Sequence, residues 1–136
     1  MEGRAFEEVE HTADVALRVW GRDLAELFTN AARGMAWLLG DAEPAGPPVE
    51  ISLRLSAYDV ETLLVSWLEE LLFHTEQEGL IFVDFWFQDM GSTHLVATAR
   101  GHPVQEMRRH IKAVTFSEMA VRSGERGLET TIVFDV

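Results

Sequence analysis

The sequence predicts a single α+β domain over residues 1–136, with a mixed or mostly antiparallel sheet and two helices packed on one face of it. Three observations lead there. The first half of the chain holds two long stretches with apolar residues at helical spacing. From Gly79 onward the pattern changes to short alternating strands, separated by turns that contain Gly and Ser. The two kinds of element segregate along the chain instead of alternating strictly.

Taken in order, Val15, Leu17 and Val19 recur at period two, which predicts a strand over 15–20 with Asp14 at its mouth. Asp23, with Glu26 three residues on, has the form of a helix N-cap and its reciprocal acid. Leu24, Leu27, Phe28, Ala31, Met35 and Leu38 then mark the core-facing stripe of a helix ending near Gly40. Residues 41–48, with Pro44, Gly46, Pro47 and Pro48, are rich in breakers and short enough to be a surface loop instead of a linker. Ile51, Leu53 and Leu55 alternate with polar residues as a half-buried strand. Asp59 is placed to cap a second helix whose wide apolar face carries Leu63, Leu64, Trp67, Leu68, Leu71 and Leu72, with Gly79 closing it and Trp67 anchoring the core. Strands are expected at 80–87, 95–100, 111–122 and 128–135. The turns between them fall at Gly91-Ser92, at Gly101-His102-Pro103 and over 123–127.

Composition narrows the function classes. The chain has no cysteine, which removes disulfide frameworks, thiol catalysis and cysteine-ligated metals, and agrees with a cytoplasmic location. No apolar run approaches the length that spans a bilayer, and the charged N-terminus lacks a signal-peptide core, so no membrane partner is expected. With 23 acidic against 11 basic side chains the formal charge is −12. Such a surface repels phosphates over most of its area, so little direct nucleic-acid binding is expected. It suits cation collection or docking on a basic partner.

The last strand ends in Asp135 and Val136, where an acidic side chain adjoins the backbone carboxylate. Neighbouring anionic oxygens make half of a hard-cation site, because calcium and magnesium take oxygen ligands; the alternative is a frayed, solvated end. A second acid, Asp14, lies in the segment Glu10-His11-Thr12-Ala13-Asp14-Val15, and an antiparallel or mixed sheet can bring it beside Asp135. Carboxylates gathered in this way call for a cation or a lysine nearby, and Lys112, in Ile111-Lys112-Ala113-Val114-Thr115-Phe116, is the natural candidate. Read by spacing alone, Lys112 is a mid-strand residue that reaches water from a sheet edge. His11 is read first as a structural hydrogen bonder, and Thr12 and Thr115 as hydroxyls that orient the site.

The collinear set of His11-Thr12-Ala13-Asp14, the two helices, Lys112-Ala113-Val114-Thr115 and the final Phe134-Asp135-Val136 resembles the archease family over nearly the whole chain. The resemblance implies an archease-like fold and a non-enzymatic helper of the GTP-dependent RNA ligase of tRNA splicing. That ligase is a basic partner whose guanylylation and multiple turnover in exon ligation the helper promotes. It further implies a divalent cation held by Asp14, Asp135 and Val136, calcium first, with magnesium or manganese as alternatives. Lys112 would contact the ligase or its nucleotide, and His11 and Thr12 would support the site from behind. One departure stands out: Phe116-Ser117 replaces the Tyr-His common after Lys-Ala-Val-Thr in the family. Two readings from other classes remain, a stand-alone metal-dependent hydrolase using Asp14 and Asp135, and a chaperone-like binding module with a structural metal. Against the hydrolase, the sequence shows no P-loop and no paired nucleophile and base.

Overall fold

A computed structural model describes residues 4–9 and 14–136. The first helix, α1 (Leu24–Leu39), begins as its sequence dictates. Asp23 accepts the Glu26 N–H at 2.9 Å, and Glu26 reaches back to accept the Arg22 N–H at 2.9 Å, which satisfies two amides that the first turn leaves open. The second helix, α2 (Val60–Glu78), starts at Asp59, which accepts the Thr62 N–H at 2.8 Å. It ends at Gly79, in the left-handed conformation with φ 66°, whose N–H returns to the Thr75 carbonyl at 2.9 Å.

All strand pairings among the described residues are antiparallel, and the strands divide between two sheets. The first sheet runs β1 (Phe6–Val9), β2 (Val15–Gly21), β9 (Gly127–Asp135), β7 (Ala113–Thr115), with β8 (Arg122–Gly124) also on β9. Because β2 covers one edge of β9 along almost its full length, β7 and β8 share the opposite edge. The second sheet is built on the long β6 (His94–Met107), which pairs with β4 (Val49–Ser56), β5 (Leu80–Met90) and the short β3 (Gly40–Ala42).

The two helices touch each other and both sheets, α1 lying against β2 and β5 and α2 against β4, β5 and β7. Between them sits the core, in which Leu17, Val19, Phe28, Leu63, Leu64, Leu68, Leu95, Ile132 and Phe134 are all completely buried. Trp67 anchors it as expected. Its ring meets Phe85 and Phe87 at centroid distances of 5.8 and 5.1 Å, and its Nε1–H donates to the Phe28 carbonyl at 3.0 Å, so the one polar atom of the side chain is satisfied inside. Gly34 lets α1 approach the first sheet, because a Cβ there would stand 2.8 Å from Leu17 Cδ1. The aromatic residues of β5 divide by strand alternation. Phe85 and Phe87 face Trp67, while Trp86 lies on the solvent side under the Arg100 guanidinium, 5.0 Å from it.

Three expectations are corrected. Gly101-His102-Pro103 is not a turn but part of β6, which continues to Met107. Gly101 admits the Phe82 ring at its α-carbon, and Pro103 supplies its carbonyl to Glu43 N–H at 2.8 Å in a position that needs no donor of its own. The strand expected over 111–122 is only Ala113–Thr115, followed by a turn and then by β8. Glu118, with φ 63°, breaks it, and the amides of Val114 and Val121 go to side chains of α2. The loop expected at 41–48 opens with the last two residues of β3. β1 forms as well, where no strand was foreseen.

Trp67→Ala should cost about 3–5 kcal/mol in urea unfolding, with Trp67→Phe falling well short of that, since the ring packing outweighs the single hydrogen bond. A pH effect is also expected at α2. Hydrogen bonds from the Thr62 side chain and then from its N–H hold the Asp59 carboxyl below its ordinary value of 3.8. A depressed folded-state value means that the stabilisation is full above the unfolded value and is lost as pH falls through the folded one. Between wild type and Asp59→Asn, which caps without titrating, the difference in melting temperature should therefore shift only below about pH 4.

Candidate functional site

The β2–β9 pairing decides what meets at one end of the first sheet. Val15 pairs with Phe134, so Asp14, which directly precedes β2, and Asp135, the last residue of β9, lie at the same end of the sheet. Successive residues of a strand point to opposite faces, and Phe134 is completely buried. Asp135 therefore faces away from the core and is exposed, while Asp14 is half-buried. On the other edge of β9, Ala113 pairs with Asp135, and the Lys112 N–H donates to the Asp135 carbonyl at 2.7 Å. Three segments far apart in sequence thus deliver Asp14, Asp135 with Val136, and Lys112 to one sheet end.

Lys112 does not sit in mid-strand as the alternation suggested; it directly precedes β7, between buried Ile111 and half-buried Ala113, with its side chain exposed. It is the only lysine of the chain, every other cationic side chain apart from histidine being arginine. A compact, strongly hydrated ammonium on a flexible stem occurs once, at this end. His11 and Thr12 lie outside the described residues. Thr115 uses its Oγ1 to accept the Ser117 N–H at 3.2 Å, which serves its own turn and not the carboxylates. Phe116 and Ser117 are both exposed in that turn, which presents an apolar ring to solvent.

Asp14 and Asp135 offer carboxylate oxygens, the kind of donor that calcium and magnesium take and soft metals do not. Among the described residues no three His, Cys, Asp or Glu side chains converge to hold a metal ion. The other histidines are dispersed: His74 meets Glu78, His94 meets Asp89, His102 meets the Gly46 carbonyl, and His110 is exposed.

Two residues of this region were not foreseen. Glu69 and Glu61 project from α2 toward the segment that carries Lys112, Glu69 Oε2 accepting the Val114 N–H at 2.9 Å and Glu61 Oε2 the Val121 N–H at 3.0 Å. The sequence offered only their place at the margin of the α2 apolar face.

The Archease protein family matches residues 6–136. The chain belongs to the archease family. A protein archease of Saccharolobus islandicus is 36% identical to it over 138 residues, covering 98% of this chain and 99% of that one. One from Methanosarcina mazei is 31% identical over 146 residues, covering 99% and 98%. Among solved structures, the solution structure of Methanobacterium thermoautotrophicum protein 1598 superposes with a TM-score of 0.74 at 29% identity, over 98% of this chain and 99% of that one. The fold is shared with a Thermotoga maritima archease described as a possible chaperone, with a TM-score of 0.67 at 19% identity and 96% of each chain covered. The α+β class expected from the segregation of helices and strands is thus the fold of the family. No helix among the described residues is long and apolar enough to cross a membrane.

Proposed function

We propose that this protein is an accessory factor for a GTP-dependent RNA ligase of tRNA splicing, promoting guanylylation of the ligase and its multiple turnover in exon joining. The observation that carries the reading is the shared sheet end of Asp14, Asp135 and Lys112, set by the register of β2, β9 and β7. Membership of the archease family supports an accessory role in place of catalysis. The words "possible chaperone" applied to the Thermotoga protein are compatible with action on another protein.

In this reading oxygen atoms of Asp14, Asp135 and Val136 hold a divalent cation: calcium, magnesium or manganese. When bound, such an ion neutralises and orients phosphate oxygens. The chain's own groups do the rest. Asp135 is exposed and presents its charge outward, with the half-buried Asp14 at the same sheet end, where a partner's nucleotide pocket can approach. Lys112 places one mobile cation beside them, suited to a triphosphate oxygen or to a carboxylate of the partner. The acidic surface, at a formal −12, favours encounter with a basic RNA-binding enzyme and disfavours capture of the RNA itself. Work on a cytoplasmic splicing enzyme also agrees with a chain that has no cysteine.

The test is multiple-turnover ligation and GTP-dependent guanylylation by the cognate ligase, with and without this protein. Stimulation by wild type, reduced about tenfold or more in Asp14→Ala, Asp135→Ala and Lys112→Ala proteins that remain folded, is the expected result; tenfold corresponds to about 1.4 kcal/mol of barrier. Equal ligation in every reaction would sink the proposal.

A further inference from the structure

We propose that Glu69 is the positioning residue of Lys112, a role that rests on the functional reading above for its purpose but not for its geometry. The strand that follows Lys112 is only three residues long, Ala113–Thr115. So short a strand at a sheet edge holds itself weakly by ladder bonds alone. Beyond it the chain turns through Phe116 to Val121 before pairing resumes at β8, and Glu118 in that turn takes a positive φ. This piece is held largely by side chains. Val114 gives its N–H to Glu69 at 2.9 Å, Ala120 gives its N–H to Thr130 Oγ1 at 3.3 Å, and Val121 gives its N–H to Glu61 at 3.0 Å.

Glu61 and Glu69 lie eight residues apart, about 12 Å along the helix axis, so the two carboxylates grip the segment at both ends. Of the two, Glu69 acts next to the lysine. The Lys112 N–H is fixed to Asp135 on β9, and the Val114 N–H, two residues later, is fixed to Glu69 on α2. The backbone that bears Lys112 is therefore set between the strand that carries Asp135 and a helix rooted in the core by Trp67, Leu68, Leu71 and Leu72. A hydrogen bond to an ionised acceptor is the stronger kind, and the half-buried setting of Glu69 limits competition from water. With Glu69 in place, the stem of Lys112 starts from one defined point relative to the aspartates. Without it, a three-residue edge strand is free to lift away.

Lys112 being the only lysine makes this directly measurable, since reductive methylation with ¹³C-formaldehyde gives a single side-chain resonance besides that of the N-terminal amine. The experiment compares wild type, Glu69→Ala, Glu69→Gln and Glu61→Ala by this resonance, by amide hydrogen exchange and by ligase stimulation. In Glu69→Ala, Val114 should exchange at least tenfold faster while Ile132 and Phe134, in the core pairing, keep their protection. The Lys112 resonance should shift toward that of a free lysine and narrow. Glu69→Gln, which keeps an acceptor, should recover most of both effects, and Glu61→Ala should loosen Val121 without moving Lys112. In the ligase assay, unmethylated Glu69→Ala should lower the maximal stimulation with little change in the concentration that gives half of it. An unchanged Val114 exchange and Lys112 resonance in Glu69→Ala would overturn the proposal. Loosening of both, in a protein whose wild type fails to stimulate any ligase, would uphold the positioning and remove the ligase reading.

Discussion

The antiparallel pairing of β2 with β9 is the contact on which the rest of the molecule depends. It runs from Val15 opposite Phe134 to Gly21 opposite Leu128, and its inward residues Leu17, Val19, Ile132 and Phe134 form the sheet's contribution to the core. A slip of one residue would turn these side chains to solvent and bring Arg18 and Asp135 inward, so burial fixes the register tightly. The same register sets Asp14 beside Asp135. Hydrophobic packing on one face of the sheet therefore determines the electrostatics at its end, and no separate device is needed to bring the two acids together.

Helix α2 works in two directions at once. One side carries Leu63, Leu64, Trp67, Leu68, Leu71 and Leu72 into the core, where Trp67 joins α1 through the Phe28 carbonyl and β5 through Phe85 and Phe87. Its flank carries Glu61 and Glu69 to the broken edge of the first sheet, where they take amides that a longer strand would have paired. The side chains do for this edge what a neighbouring strand does elsewhere. This leaves Phe116 to Ala120 outside the sheet, including the exposed Phe116-Ser117 pair.

The helices were legible to within a residue because their signals are local. Asp23 with Glu26, Asp59, and Gly79 each act through atoms within four positions of themselves. Strand ends were less legible because they are set by partners. Gly101-His102-Pro103 has turn composition, yet β5 on one neighbour and Glu43 on another supply what keeps it extended. Likewise Ile111 to Arg122 has strand composition, but its extension is cut where α2 offers carboxylates, and a helix's reach across space leaves no trace in the strand's own residues. The candidate site stood between these cases. Asp14, Asp135 and Lys112 were readable as motif residues and their common location is a consequence of register, while Glu69 carries no motif and becomes visible only through its contact with Val114.

The β2–β9 pairing also has a kinetic meaning. It joins residues about 120 positions apart, and closing so long a loop carries an entropic cost of the order of (3/2)RT ln n before any contact returns it. The second sheet, with its neighbours β5 and β6 joined by a short turn, and the two helices have far more local contacts and can assemble first. On that order of events the acidic pair is completed late in folding, after most of the core is in place. A partly folded chain would carry the helices and the second sheet, with Asp14 and Asp135 still far apart.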